Sequence, residues 1–388
     1  MSAFGVYVHV PFCRERCDYC AFATYTDRDH LMERYADACI VDVRRTFGEA
    51  DLALPTSIFF GGGTPSRLHP DTLCRVLDAI PRAPGAEVTV ECNPEDADAA
   101  HLDAYRRAGV TRVSFGLQAT SPHVLASLGR RDVPHAAETI SAAVASAGFE
   151  TWNLDLIFGA AGEADEDWAA TLDHVLGLAH PPPHLSAYGL TVEPGTPLAR
   201  DPSRHPDEEA QARRYERADA VLTAAGYRWE EISNWARPGH EARHNHLYWE
   251  QGDYVGIGSA AHAHRDGVRW WNVRTPERYV DAVETGRSAE SGREELTAGQ
   301  REFEALTLAL RTRRGVPWDC LERPEDLAAG CRGVGGDDGG DDGGDVAASG
   351  PLIERVADPA GDRAVLTVRG RLLANEVSAR IRSGILHR

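Results

Sequence analysis

From residue 5 to about residue 190 the chain alternates short runs rich in β-branched and aromatic residues with longer amphipathic stretches. The strand candidates are residues 6–10, 57–60, 87–91, 112–115, 152–157 and 184–188. Helical periodicity occupies 31–47, 70–80, 97–108, 136–147 and 166–178. Alternation of this kind builds right-handed βαβ crossovers and a parallel sheet. Six units predict an α/β fold, a partial (β/α)6 barrel. Polar and glycine-rich elements follow each strand, at the end where βα loops build active sites. They are the cysteines after the first strand, Gly61-Gly62-Gly63-Thr64-Pro65 after the second, Glu91-Cys92-Asn93-Pro94, Gln118, Asp155 and Tyr188.

The first of these loops carries Cys13, Cys17 and Cys20, spaced C-x3-C-x2-C. The residues between them are Arg14, Glu15, Arg16, Asp18 and Tyr19, which do not read as a buried apolar strand. Zinc normally takes four protein ligands. A [4Fe–4S] cluster held by three thiolates keeps one iron open to a ligand. The spacing therefore favours an iron–sulfur site over zinc or plain core cysteines. Cys39, Cys74, Cys92, Cys320 and Cys331 lack such spacing.

The string YVHVPFC…CDYCAF resembles the HemN/HemW group of the radical S-adenosylmethionine (SAM) family. The resemblance runs on through GGGTPS, ECNPE, RVSFGLQ, LGRRD, NLDLIFG, SAYGLTVEPGTPL, EISNWARPG and HNHLYW. It implies a [4Fe–4S] cluster on Cys13, Cys17 and Cys20 whose fourth iron is chelated by SAM. An electron from the cluster then cleaves SAM to methionine and a 5′-deoxyadenosyl radical. It also implies SAM contacts at Tyr7, Gly62, Gly63, Thr64, Glu91, Gln118, Arg130 and Asp155, for one SAM or two. Carboxylate, amide and guanidinium groups suit the ammonium, hydroxyls and carboxylate of that cofactor.

Within the group two activities compete: a haem chaperone, and an oxygen-independent coproporphyrinogen III dehydrogenase. The dehydrogenases carry a further cysteine two residues after the third, where this chain has Phe22. They also carry an N-terminal extension, whereas Tyr7 already lies in the first strand. Both differences favour the chaperone, as does HNHLYW, whose His244, Asn245, Tyr248 and Trp249 match the HNxxYW pattern of HemW-type proteins. These four are the haem-binding candidates, since imidazole ligates haem iron and aromatic rings pack on porphyrin. The expected partners are haem, a haem-accepting protein, and an electron donor such as a flavodoxin or ferredoxin.

Acidic residues outnumber basic ones, 60 to 41, in 388 residues, which argues against general nucleic-acid binding. No secretory leader and no membrane span are visible, so a reducing cytoplasm is expected. Residues 1–190 read as the barrel core. Residues 191–300, aromatic-rich and irregular, read as an extension covering or lining the barrel mouth. Residues 301–388 read as a small winged-helix-like α+β module, with a disordered Gly/Asp loop at 333–345.

Overall fold

A computed structural model describes residues 3–49, 51–330 and 350–382. The Gly/Asp run 333–345 lies outside them. The chain forms two compact units. The first comprises Met1–Arg228, Ser233–Leu247 and Gly252–Glu295, and the second Trp229–Ile232, Tyr248–Gln251 and Leu296–Arg388.

The first unit is built on six parallel strands in sequential order: β1 (Phe4–Val10), β2 (Ser57–Gly62), β3 (Glu87–Cys92), β4 (Arg112–Gln118), β5 (Thr151–Phe158) and β6 (His184–Gly189). The helices α1 (Met32–Glu49), α2 (Pro70–Ala79), α3 (Ala99–Ala108), α4 (Pro122–Ser127), α5 (Ala136–Ser146) and α6 (Asp165–Leu176) fall between the strands. Their ends follow local chemistry. Pro70 opens α2 at a position where a missing N–H costs nothing. The Asp98 carboxylate accepts the His101 N–H at the start of α3, and Gly109 closes that helix at φ +97°.

The strands are two-faced. Val88, Val90, Val113, Phe115, Leu154, Leu156 and Leu185 are all fully buried and alternate with polar partners. Burying such a side chain stabilises the fold by roughly 1.5–3 kcal/mol. The partners are Thr89 and Glu91, Arg112 and Ser114, Asn153 and Asp155, His184 and Ser186. Register aligns Glu91 with Ser114, Ser114 with Asn153, and Asn153 with His184, so one polar layer crosses four strands. Barrel interiors are ordinarily filled by bulky aliphatic residues. This one is polar and hollow.

Residues 191–300 are more regular than the sequence suggested. Glu208–Ala224 is a helix, capped where the Asp207 side chain accepts the Ala210 N–H. Asp253–Ile257 pairs parallel to β1, and His262–Arg265, Val268–Asn272 and Glu290–Glu295 continue that edge antiparallel. Asn234–Ala236 pairs antiparallel with β6. Most of this stretch widens the sheet, while Thr191 and Glu193, just after β6, line the cavity at its mouth. Arg243 and His244, which open the helix Arg243–Trp249, lie at the N-terminal ends of β2 and β3, where they meet Ser57 and Glu87, away from the cysteines. That helix shortly precedes a strand parallel to β1, so the chain must enter at the N-terminal ends of the strands. Hydropathy alone could not tell one end of the barrel from the other.

The second unit contains the helix Ala298–Leu310, closed by reciprocal Thr297 and Gln300 capping bonds. It also holds an antiparallel sheet of Val316–Pro317, Arg363–Leu366 and Ile353–Val356. No helix among the described residues is long and apolar enough to cross a membrane.

Candidate functional site

The cysteine loop leaves β1 and is tied down on several sides. The Cys13 N–H donates to the Tyr25 carbonyl (3.0 Å) and the Asp18 N–H to the Leu128 carbonyl (3.2 Å). Arg14 pairs with buried Asp96 at 2.7 Å, and Asp18 with Arg204 at 2.7 Å. The loop is therefore shaped by the protein itself. The Thr64 hydroxyl donates to the Cys13 sulfur (3.6 Å) and Arg130 to the Cys17 sulfur (3.5 Å). Burial pushes the Cys13 thiol up to about 11, opposed by the Thr64 bond. Burial also raises Cys20.

The three thiols open on a cavity of about 650 Å³ that lies wholly within the first unit. Gly62, Gly63, Thr64, Glu91, Gln118, Arg130 and Asp155 line the same cavity. Tyr7 does not: its hydroxyl meets His9 Nδ1 (3.1 Å) and its ring stacks on Phe59.

Each lining group has a local reason for its place. A Cβ on Gly63 would stand 2.7 Å from the Val10 carbonyl oxygen, and Gly62 has φ +105°. Only glycine lets this loop pass so close to the first strand. The Gly63 and Thr64 N–H groups donate to the Val10 and Phe12 carbonyls, both at 2.8 Å. A register shift after Gly116 and a left-handed Gln118 (φ 68°) turn the Gln118 side chain toward the cavity. Arg130 donates to the Gly116 carbonyl (2.7 Å) and Asn93 Oδ1 (3.1 Å), and Asn93 donates to Thr64 (3.1 Å).

Two carboxyls face the hollow. Glu91 accepts the Gly62 N–H at 3.2 Å, and Asp155 accepts from Ser114 (3.2 Å) and Asn153 (2.9 Å). Burial and the nearby Asp155 push Glu91 up to about 8. Burial also raises Asp155, against its hydrogen bonds. Two carboxyls that cannot comfortably ionise together invite a cation.

The haem candidates lie elsewhere. His244 is fully buried at the N-terminal ends of β2 and β3. Its Nδ1 meets the Ser57 hydroxyl (2.9 Å), its N–H donates to Glu87 (3.0 Å), and its ring stacks on Phe59 at 5.3 Å. Burial lowers it to about 3, so the ring is neutral. Asn245 lines the cavity from this far end, whereas Tyr248 and Trp249 belong to the second unit and do not line it. The structure thus brings the thiols and seven SAM candidates together, and of the haem candidates only Asn245 joins them.

Sequence reasoning passed over Arg112, Ser114, Asn153, His184 and Ser186, all lining the cavity. Their signal was present: polar residues recur every second position in β4, β5 and β6, where both faces of a barrel strand should be covered.

The three loop thiols suit a cubane with one iron left open. Among the described residues no three His, Cys, Asp or Glu side chains are gathered to hold a metal ion. A cubane spreads its thiolates over separate irons and does not require that.

A six-stranded parallel barrel with three loop cysteines defines a radical SAM protein, and the profile of the Radical SAM superfamily matches residues 7–175. The chain is 38% identical to the "Heme chaperone HemW" of Mycobacterium tuberculosis (strain CDC 1551 / Oshkosh) over 385 residues, covering 96% of this chain and 93% of that protein. It is 34% identical to the "Heme chaperone HemW" of Escherichia coli (strain K12), covering 82% and 85%. It therefore belongs to the HemW family of radical SAM proteins. Among solved structures, coproporphyrinogen III oxidase (HemN) of Escherichia coli superposes with a TM-score of 0.78 at 22% identity, covering 97% of this chain and 89% of that one. That likeness concerns the fold alone.

Proposed function

We propose that the protein is a radical SAM haem chaperone that binds haem and hands it to a haem-requiring acceptor protein. The observation that carries this reading is similarity over almost the whole chain to proteins named haem chaperones. Cys13, Cys17 and Cys20 hold the [4Fe–4S] cluster, and Glu91, Asp155, Gln118, Arg130 and the 62–64 segment surround SAM. When bound, the cluster supplies the electron for reductive cleavage of SAM. The residues themselves have simpler tasks. Thr64 and Arg130 donate hydrogen bonds to the Cys13 and Cys17 sulfurs that would ligate the cluster, the paired carboxyls would attract the cationic cofactor, and Gln118 would orient it.

Residues 1–190 do this work, residues 191–300 line the cavity at its mouth through Thr191 and Glu193 and at its far end through Ala242 and Asn245, and residues 301–388 form a C-terminal module. The haem contacts belong to 244–249, with Asn245 as the group that reaches the cavity. The electron donor is a flavodoxin- or ferredoxin-type protein, and the compartment is the cytoplasm. The second reading, coproporphyrinogen III dehydrogenase, draws on shared fold. Phe22, 66% exposed at the cavity mouth, stands where that enzyme group has its further cysteine.

Anaerobic reconstitution tests the proposal. Iron analysis should find about four irons per chain, the stoichiometry of one cubane. The count should collapse in Cys13→Ala, Cys17→Ala and Cys20→Ala. Haem titration should produce a Soret band, and an apo-haem protein added afterwards should take the haem. A full iron count in a cysteine variant would sink the cluster assignment, and failure to bind haem would sink the chaperone.

A further inference from the structure

Arg112 is a buried cation in an unusual position. It begins β4, is 3% exposed and lines the cavity. One of its NH groups donates to the His240 carbonyl (3.1 Å), and the other meets His184 Nδ1. Neither partner is charged to balance it, and among the described residues no carboxylate forms an ion pair with Arg112. The two nearest acids are occupied elsewhere. Glu87 accepts the N–H groups of Arg243 and His244 at 3.1 and 3.0 Å. Asp155 accepts from Ser114 and Asn153.

Glu87 and Asp155 act on Arg112 through space only, and a buried guanidinium with no carboxylate bonded to it directly is a ready partner for a ligand anion. His184 adds a second, independent observation. Because its Nδ1 accepts from Arg112, its proton sits on Nε2. That atom is buried and has no hydrogen-bond partner, and His184 is 2% exposed. The Thr89 hydroxyl, aligned with Arg112 across β3 and β4, is buried and unpartnered too. All three residues line one end of the cavity together with Asn245 and Ala242.

We infer that Arg112, His184 and Thr89 form a carboxylate subsite at the N-terminal end of the cavity, seated for a propionate of a bound porphyrin. The naming of the porphyrin rests on the haem reading above; the anion chemistry does not. SAM is a poor source for this carboxylate. Arg112 and Gln118 are six residues apart along β4, roughly 20 Å at 3.3 Å per residue. A SAM whose carboxylate is held beside the cysteines cannot bring the same group to Arg112. A propionate reaching this end would also bring its macrocycle past Asn245.

The test uses the anaerobically reconstituted full chain, as wild type, Arg112→Gln, Arg112→Lys and His184→Leu. Haem and haem dimethyl ester are titrated by Soret absorbance, and SAM by calorimetry. Esterification and Arg112→Gln should each weaken haem binding about tenfold, the weight of one charged hydrogen bond. The two losses should not add, Arg112→Lys should lose less, and SAM affinity should hold. Equal wild-type affinity for haem and its diester overturns the assignment. So does an esterification loss that persists undiminished in Arg112→Gln. SAM affinity falling in place of haem affinity overturns the porphyrin source. If Arg112→Gln does not fold, Arg112→Lys and His184→Leu carry the same comparison. If wild type binds no haem, the chaperone reading fails first. The subsite then stands on saturation-transfer NMR with succinate: a signal in wild type lost in the variants supports it, and no signal in wild type overturns it.

Discussion

Glu91 is the residue on which cofactor binding and stability pull apart. Burial and Asp155 raise its carboxyl from 4.5 to about 8. In the ligand-free protein it is therefore largely protonated at neutral pH. A cationic ligand favours the ionised form, so binding releases a proton and SAM affinity should climb with pH until about 8 and then level off. Calorimetry from pH 6 to 9 checks this, and Glu91→Gln should flatten the profile while weakening binding. A pH-independent wild type would remove Glu91 from the cation site. The stability effect has a definite sign. A raised carboxyl contributes stability that is fully present below 4.5 and is lost as pH rises to about 8. Glu91→Gln should thus stabilise the ligand-free protein at pH 9, by on the order of a few kcal/mol, and hardly at all at pH 4. Urea unfolding at the two pH values reads the difference.

At the scale of elements, the helix Arg243–Trp249 is a plug as much as a binding segment. His244 fills the space between Gly5, Ser57 and Phe59. His244→Ala should cost about 2–4 kcal/mol in urea unfolding through the void and the unpaired Ser57. Loss of haem in that variant would then report the plug and not an iron ligand. Asn245→Ala is the cleaner probe. It should change stability by less than about 1 kcal/mol, as half-exposed positions do, and still weaken haem binding. Haem binding that survives Asn245→Ala unchanged would move the haem contacts off the cavity. The cysteine loop behaves differently. Its ion pairs Arg14–Asp96 and Asp18–Arg204 join it to distant stretches of chain. Asp96→Ala should slow cluster reconstitution, measured as iron uptake over time, without altering the final count.

For the whole molecule the deciding question is what happens to a porphyrin near the radical site. A decarboxylase must hold one propionate against the reacting centre within a fraction of an ångström. Here the mouth beside the cysteines presents the exposed Phe22 ring, and the buried Arg112 cation lies at the far end of the barrel. Incubation of the reconstituted protein with SAM, a reductant and coproporphyrinogen III should therefore yield no multiple-turnover protoporphyrinogen. Sustained product would move the protein to the dehydrogenase reading.

The barrel and its cysteines were legible in the sequence because both are local. Alternating β-rich and amphipathic runs located six of the seven parallel strands, missing Asp253–Ile257, and spacing singled out Cys13, Cys17 and Cys20, which the structure places on one cavity. The glycines, Glu91 and Asp155 were legible because each sits on or just after a strand, where this fold puts its chemistry. Three things needed the tertiary structure. The position of 243–249 depends on which strand its chain runs into, a pairing more than 240 residues apart in sequence. The burial of His244 follows from that position. The charge on Arg112 became telling only when neighbouring strands placed it in a cavity with no carboxylate bonded to it directly, since a lone arginine in a strand carries no such sign. Local patterns determine which elements form and which residue types they carry; long-range register decides which of those residues share one space.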